Sequence, residues 1–178
     1  MVYILLAPGF EEAETLVPAD MLRRAGIETA LVSLDGASVP GSHGITVTAD
    51  TILDKLDLSK ADMVVLPGGP GHKNLGKDPR VEQLVRESAG QGRWVAAICA
   101  APTLLGGWGL LEGKDAVCYP GMEAGLTGAQ AKMDLSVAVD GRIITGRAAG
   151  SAFDFGLKLV EVLAGKETAD KIRSGIHY

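Results

Sequence analysis

The chain has 178 residues, 47% of them hydrophobic and 22% charged, which is ordinary for one globular domain with a substantial core. Its formal net charge of -5 argues against nucleic acid or an anionic membrane as the main partner. Two cysteines are too few for a disulfide framework, and the opening apolar run is too short for a signal peptide or a membrane span. We therefore expect a single domain over residues 1–178, working in a reducing cytoplasm.

Short apolar runs alternate with longer helical patterns along the chain. The runs are nearly continuous in hydrophobicity, which is typical of strands buried on both faces of a parallel sheet. Strands are predicted at residues 2–7, 63–66, 94–98 and 116–119, and helices at 11–25, 80–89 and 151–163. Gly26 and Gly165 stand at helix C-terminal positions, and Asp140-Gly141 predicts a hairpin turn. The pattern indicates an α/β fold with a sheet between two helix layers, in which ligands bind beyond the carboxyl ends of the strands.

The first predicted helix carries a glutamate, Glu14, on its apolar face. At about 100° per residue, Glu14 shares that face with Pro18 and Met21. Burial there would raise the pKa of the Glu14 carboxyl, whereas a solvated surface glutamate fits the same pattern equally well. Pro18 cannot donate a hydrogen bond to the carbonyl of Glu14, so we expect a kink. Glu11 and Glu12 are interpreted as first-turn acids that complement the helix dipole.

A double glycine, Gly68-Gly69, follows the second strand within VVLPGGPGHKNLGKDP. Glycines at this position expose backbone N–H groups to a ligand or an oxyanion. The stretch that starts at Gly71 nearly matches a P-loop, but Asp78 stands where a serine or threonine would bind magnesium. An acid at that position would repel phosphate, so nucleotide binding is not predicted.

Cys99 lies between a strand and a helix in RWVAAICAAPTLLGGWG. The small neighbours Ala97, Ala100 and Ala101 permit a sharp turn, and Pro102 suits the first turn of a helix. This order is typical of a nucleophile elbow, here with cysteine in place of serine. Because a helix N-terminus favours a thiolate, we expect the pKa of Cys99 to be lowered. The pattern favours a reactive thiol over a buried structural cysteine.

The remaining cysteine and the histidines indicate no further site. Cys118 falls in the predicted strand 116–119 and is interpreted as inert core, while His43, His72 and His177 are interpreted as polar surface residues. No cysteine–histidine spacing is typical of a metal site. We therefore predict neither a metal nor another cofactor.

These segments together resemble the ThiJ/PfpI family, in the branch of the parkinsonism-associated protein deglycase and its bacterial relatives. The resemblance rests on EEAETLVPADMLRRAG, VVLPGG, AAICAAPTLL and GRAAGSAFDFGLKLVEVLAGKE. It implies a flavodoxin-like three-layer α/β/α sandwich with Cys99 as the reactive thiol. It also implies that Glu14 is protonated and hydrogen-bonded to the sulfur, and that the pocket backbone comes from Gly68, Gly69 and Ala100.

Two positions depart from patterns found within the family. Branches with a protease-like triad have a histidine directly after the cysteine, where this chain has Ala100, so peptidase activity is not expected. Some members of the deglycase branch have a histidine near the cysteine, where this chain has Tyr119. Tyrosine is a poor general base at neutral pH, with an ordinary pKa of about 10. Tyr119 is kept as a candidate pocket residue.

Two functions follow from the resemblance. The first is a cysteine-dependent glyoxalase or protein deglycase that acts on methylglyoxal or glycated groups without glutathione. The alternative is a redox-responsive protective protein or chaperone, in which Cys99 oxidises to a sulfinic acid stabilised by Glu14. The lack of a histidine beside the cysteine favours the alternative, and the pocket glycines with Glu14 favour the enzyme. Expected partners are a small dicarbonyl or glycated substrate and a second copy in a homodimer, where Leu16 offers apolar surface; neither nucleic acid nor a membrane is expected.

Overall fold

A seven-stranded, mainly parallel sheet forms the centre of the fold in the computed structural model, which describes residues 1–178. The strands are β1 Val2–Leu6, β2 Thr29–Ser33, β3 Ser38–Pro40, β4 Thr46–Thr48, β5 Thr51–Ile52, β6 Met63–Leu66, β7 Trp94–Ile98, β8 Asp115–Ala116, β9 Gln130–Ala131, β10 Val137–Asp140 and β11 Ile143–Gly146. The α-helices are α1 Glu12–Arg24, α2 His72–Lys77, α3 Pro79–Gly90, α4 Pro102–Gly107, α5 Ala152–Ala164 and α6 Lys166–Gly175. The short pairs β3/β4 and β8/β9 stand outside the central sheet.

The order of strands in the central sheet creates a crevice at one edge. The order is β10-β11-β7-β6-β1-β2-β5, and every neighbouring pair is parallel except β10 with β11. Since β1 lies between β2 and β6, the chain winds outward from β1 in both directions. In sheets of this kind the crevice opens at the carboxyl ends of the strands where the direction reverses. Here those strands are β1 and β6, with β7 next to β6.

Side chains alternate along the strands and supply a core on each face of the sheet. Ile4 and Val65 belong to the core that α1 and α5 cover, and Leu5 and Val64 belong to the core beneath α3 and α4. Helices α1 and α5 approach closely at Gly156, where an added Cβ would lie 3.0 Å from the Cα of Pro18. The predicted three-layer, flavodoxin-like α/β/α architecture is confirmed. No helix combines the length and the apolarity that crossing a bilayer requires.

Most of the predicted elements occur within one residue of their expected limits. The helices predicted at 11–25, 80–89 and 151–163 correspond to α1, α3 and α5. Helix α1 continues through Pro18 from its first residue to its last. The predicted hairpin joins β10 to β11, with Gly141 at a φ of 59°. Strands β2 and β5 and helices α2 and α6 were not predicted from the sequence.

The predicted strand at 116–119 is wrong. Only Asp115 and Ala116 are extended as β8, and they pair with β9 rather than with the central sheet. The next N–H groups bind other partners, because Val117 donates to Oγ1 of Thr145 at 2.9 Å and Tyr119 donates to the carbonyl of Cys99 at 2.7 Å. Residues 117–119 therefore form a loop against the carboxyl ends of β7 and β11.

Candidate active site

Cys99 occupies a strained turn at the carboxyl end of β7. Its φ is 65°, a left-handed value that among the non-glycine residues is otherwise found only at His177. Such a conformation costs about 1–3 kcal/mol and persists where the surroundings hold it in place. Two backbone hydrogen bonds hold Cys99: its N–H donates to the carbonyl of Gly146 at 2.9 Å, and its own carbonyl accepts from Tyr119 at 2.7 Å. The chain then enters α4, giving the strand–turn–helix order of a nucleophile elbow.

Glu14 of α1 points into the same crevice and is buried, with only 1% of its surface exposed. The structure therefore decides between the two readings of the sequence pattern, in favour of burial. Its carboxyl Oε2 accepts a hydrogen bond from the N–H of Gly68 at 3.0 Å. The Cys99 thiol and the backbone of Ala149 also lie close enough to the carboxyl to influence its pKa.

Gly68 is required because Glu14 and Cys99 crowd its Cα. An added Cβ would lie 2.5 Å from Oε2 of Glu14 and 2.7 Å from the Cβ of Cys99. These separations are shorter than van der Waals contact, so any side chain at position 68 would displace one of the two groups. The carboxyl end of β6 thus brings α1 and the elbow together.

The environment of Glu14 favours its protonated form. Burial raises the pKa of the Glu14 carboxyl to about 7, and the nearby carboxylate of Glu11 adds to that rise. Hydrogen bonds from Cys99, Gly68 and Ala149 stabilise the ionised form and oppose burial only in part. At neutral pH the protonated and ionised forms of the Glu14 carboxyl are consequently both populated, so Glu14 can donate or accept a proton.

The predicted lowering of the Cys99 pKa is wrong. Burial raises the pKa of the thiol to about 12, and repulsion by ionised Glu14 adds to that rise. Hydrogen bonds from the backbone N–H groups of Gly69 and Ala100 favour the thiolate but do not reverse the direction. Cys99 is only 8% exposed, so desolvation outweighs the dipole of α4, a helix of six residues. The sulfur therefore needs a base to remove its proton.

The glycine loop after β6 places the backbone around the sulfur. Gly69 has a φ of 73°, and an added Cβ there would lie 2.6 Å from the backbone N of Glu11. Its carbonyl contacts Nδ1 of His72 at 2.8 Å, which fixes the peptide at the start of α2. The N–H groups of Gly69 and Ala100 converge on Cys99, so they can also donate to an oxygen that carries negative charge beside the sulfur.

A family model, the DJ-1/PfpI family, matches residues 1–162. The chain belongs to the DJ-1/PfpI family. Within it, Protein dj-1beta of Drosophila melanogaster is 41% identical over 97% of this chain and 94% of its own length. The crystal structure of Drosophila melanogaster DJ-1beta has a TM-score of 0.94 at 40% identity, covering 98% of this chain and 96% of that one.

Two further DJ-1/PfpI relatives have names that state an activity. Glutathione-independent glyoxalase DJR-1.2 of Caenorhabditis elegans is 31% identical over 95% of this chain and 91% of its own length. Deglycase PH1704 of Pyrococcus horikoshii is 29% identical over 91% of this chain and 98% of its own length.

Sequence reasoning missed the role of the acids that open α1 of this DJ-1/PfpI chain. Glu11 caps the helix through Oε2, which accepts from the N–H of Glu14 at 2.7 Å. Glu12 is buried and accepts from the N–H of His43 at 2.7 Å and from Oγ of Ser42 at 3.1 Å. Burial alone would raise the pKa of Glu12, but these bonds and one with the His43 side chain lower it to about 2. Glu12 therefore ties the β3/β4 turn to the start of α1.

The remaining candidates form no side-chain hydrogen bond with Cys99. Tyr119 is 48% exposed and bonds Cys99 through its backbone N–H, while Cys118 is fully buried in the core. His43 is largely exposed and its Nδ1 lies 2.9 Å from Oε2 of Glu12. Ligand atoms of Glu11, Glu12 and His43 lie within 4.8 Å of one another, which makes them the set of side chains able to hold a metal. Glu12 and His43 are already bonded to each other.

Proposed function

We propose that this DJ-1/PfpI protein is a cysteine-dependent enzyme that converts a small dicarbonyl such as methylglyoxal to a hydroxy acid without glutathione. One observation carries the proposal: strained Cys99 and buried Glu14 meet at the Cα of Gly68, where ionised Glu14 raises the pKa of the thiol, and the N–H groups of Gly69 and Ala100 lie close enough to the sulfur to favour its thiolate. The names of the Caenorhabditis elegans and Pyrococcus horikoshii relatives, a glyoxalase and a deglycase, support the same class of reaction.

The first step joins the sulfur to the aldehyde carbon of the substrate. Ionised Glu14 takes the thiol proton as Cys99 attacks, which the raised pKa of the thiol makes necessary. A carbon–sulfur bond forms, the carbonyl π bond breaks, and the oxygen gains negative charge. Gly69 and Ala100 donate hydrogen bonds to that oxygen. Glu14 then returns its proton to the oxygen, leaving a hemithioacetal and an ionised carboxylate.

The second step moves a proton between the two substrate carbons. Ionised Glu14 removes the hydrogen on the former aldehyde carbon as a proton and delivers it to the neighbouring carbon through an enediol. The first carbon is thereby oxidised to a thioester and its neighbour is reduced to an alcohol, so no external oxidant or reductant is consumed. Water then cleaves the carbon–sulfur bond, which releases the hydroxy acid and restores the thiol. In a glycated amine, the same thiol would attack the hemiaminal carbon. The carbon–sulfur bond forms as the carbon–nitrogen bond breaks, and the thiol proton passes through Glu14 to the leaving amine, which leaves the same hemithioacetal.

Lactate formation from methylglyoxal without glutathione tests the proposal. We expect activity in the wild type and loss of activity in Cys99→Ser and Glu14→Gln, because these changes remove the nucleophile and the proton carrier. Cys118→Ser is the matched control, since Cys118 is fully buried in the core on the other face of the sheet from the Cys99 side chain. Full activity in Cys99→Ser would contradict the assignment of the nucleophile.

A redox-responsive role is the second candidate, supported by the raised pKa of Glu14 next to the sulfur. A sulfinate on Cys99 would carry negative charge, and a protonated Glu14 would donate a short, charge-assisted hydrogen bond to it. Mild peroxide should then stop at two added oxygens in the wild type and continue to three, or give a mixture, in Glu14→Leu. Intact-mass spectra across a peroxide titration measure this. Identical profiles for the two proteins would remove the support for the role.

A homodimer is proposed as the working form. Leu16 on α1 is only half-buried although it is apolar, and it lies against the core that α1 covers. An interface of ordinary size would bury about 800 Å² per partner. Light scattering at micromolar concentration should give twice the chain mass, and Leu16→Arg should give the mass of one chain with an unchanged circular dichroism spectrum. A monomer mass for the wild type would overturn the proposal.

A further inference from the structure

A cleft of about 350 Å³ lies at the amino ends of β7 and β11. Arg93 directly precedes β7 and Arg142 directly precedes β11, and both line the cleft. Cys99 follows the other end of β7, six positions along the chain from Arg93. At about 3.3 Å per residue of strand, the cleft and the sulfur lie about 20 Å apart on opposite edges of the sheet. The cleft is therefore separate from the candidate active site.

The charged side chains around the cleft are mainly cationic, in a chain whose formal net charge is -5. Arg93, Lys114 and Arg142 line it, with Glu112 as its one acid. No carboxylate oxygen lies within 4.0 Å of the guanidinium nitrogens of Arg93 or Arg142, so neither arginine forms an ion pair. Lys114 has only a long contact, with its Nζ 3.7 Å from Oδ1 of Asp140. Positive charge is thus in excess here, opposed only by Glu112 and by the long contact between Lys114 and Asp140.

The side chain of Arg93 has an unpaired hydrogen-bond donor, which is the strongest indication of a ligand. Its Nη1 is buried, yet no hydrogen-bond partner lies within reach of that atom. An unsatisfied buried donor costs about 1–3 kcal/mol, more for a charged group, and such groups are rare in folded proteins. The backbone N–H of Arg93 is fixed on the carbonyl of Ser88 at 2.9 Å, so the side chain starts from a defined position. Since Nη1 is closed to solvent, an acceptor in the cleft would pair with it after a shift of the Arg93 side chain.

Arg142 is held beside Arg93 by two contacts. Its carbonyl accepts from the N–H of Val95 at 3.0 Å, and its guanidinium lies over the Trp94 ring, 4.8 Å from the ring centre. Stacking of this kind orients the planar group and leaves its N–H edge free to bind. Arg93 and Arg142, from adjacent strands, therefore both border the cleft, with the Arg142 guanidinium stacked on a ring that packs against the opposite face of the sheet. Guanidinium matches carboxylate and phosphate oxygens in pairs.

The rest of the lining limits what the anion can be. Ala89, Val95, Leu110 and Ile143 supply apolar surface, and Glu112 reduces the net charge of the lining side chains from +3 to +2, which matches an anion with one or two negative charges. The volume lies near the lower end of small-molecule pockets, which span about 300–1,000 Å³. We propose that the cleft binds a small organic anion, a phosphate monoester or carboxylate on a compact apolar group, with Arg93 and Arg142 holding the anionic head.

Isothermal titration of the full chain with phenyl phosphate and benzoate tests this proposal. We expect saturable binding of at least one of the two at one site per chain, and no saturable binding of neutral benzyl alcohol. Inorganic phosphate, which lacks the apolar group, should bind more weakly. Arg93→Gln and Arg142→Gln should each weaken binding about tenfold or more, as expected for one charge-assisted hydrogen bond. The tighter of the two probes identifies the head group.

The matched control is Arg86→Gln on α3, because Arg86 lies outside the cleft and pairs with Glu82 at 2.8 Å. It should bind like the wild type, and so should Cys99→Ser, which separates the cleft from the reactive thiol. If Arg93→Gln does not fold, Arg142→Gln and Lys114→Gln provide the same test. No saturable binding of either probe at millimolar concentration, unchanged affinity in the cleft variants, or an equal loss in Arg86→Gln would overturn the proposal.

Discussion

Replacement of Glu14 by glutamine should change how the stability of the protein depends on pH. The pKa of Glu14 rises from an ordinary value of 4.5 to about 7 in the folded protein, chiefly through burial. Between these values the folded chain keeps a proton that the unfolded chain releases. The free energy of unfolding of the wild type must therefore fall as the pH rises through this window. Glutamine keeps the shape and a donor but cannot titrate, so Glu14→Gln should not show this loss.

The size of the effect follows from the two pKa values. A tenfold change in proton affinity corresponds to about 1.4 kcal/mol, and the interval from 4.5 to about 7 therefore amounts to about 3 kcal/mol. The favourable contribution of the protonated carboxyl is complete below 4.5 and is lost once the pH exceeds 7. The Cys99 thiol keeps its proton throughout, because its pKa is about 12.

Urea unfolding of the wild type and of Glu14→Gln at about pH 5 and about pH 8 measures the effect. The quantity compared is the change in the free energy of unfolding between the two pH values, in one protein relative to the other. Between these conditions the wild type should lose about 2–3 kcal/mol relative to Glu14→Gln. Other groups titrate alike in both proteins and cancel. Glu28→Gln is the control, because Glu28 is exposed, and it should follow the wild type. Parallel curves for the wild type and Glu14→Gln would refute the reasoning, since Glu14 would then ionise as it does in the unfolded chain.

Three further predictions concern the elbow and its glycine. Gly68→Ala should destabilise the protein by about 1–3 kcal/mol and abolish dicarbonyl turnover, because the added Cβ would overlap Glu14 and Cys99. Chemical unfolding and lactate assays measure the two effects. The control is Gly90→Ala, whose Cβ would face open space and should cause neither effect. Cys99→Gly should be at least as stable as Cys99→Ala in thermal unfolding, since glycine adopts the φ of 65° without strain; a markedly less stable glycine variant would show that the turn is not strained. For dicarbonyl turnover, kcat/KM should rise with pH through about 7 as Glu14 ionises to the base, and a pH–rate profile that falls there would contradict this role.

The sequence by itself determined the elements and the order in which they follow one another. Helix α1 and strand β7 were predictable because an amphipathic pattern and a buried apolar run reflect local preferences that the fold does not override. The elbow at Cys99 was predictable for a related reason, since small residues and a proline after a strand permit a sharp turn into a helix. The alternation of strands and helices then indicated the three layers.

The tertiary structure decided everything that depends on partners distant in the chain. Glu14 is buried because Gly68, 54 residues away, lies against its carboxyl, and the sequence pattern allowed a surface position equally well. Residues 117–119 read as a strand, but Thr145 and Cys99 accept their hydrogen bonds and hold them as a loop. The pKa of Cys99 is raised where the sequence predicted that it would be lowered. Desolvation and the nearby charge of Glu14 cause this rise, and both arise only once the chain has folded around the sulfur. Likewise, only the pairing of β7 with β11 brings Arg93 and Arg142 to one cleft, since 49 positions separate them in the sequence.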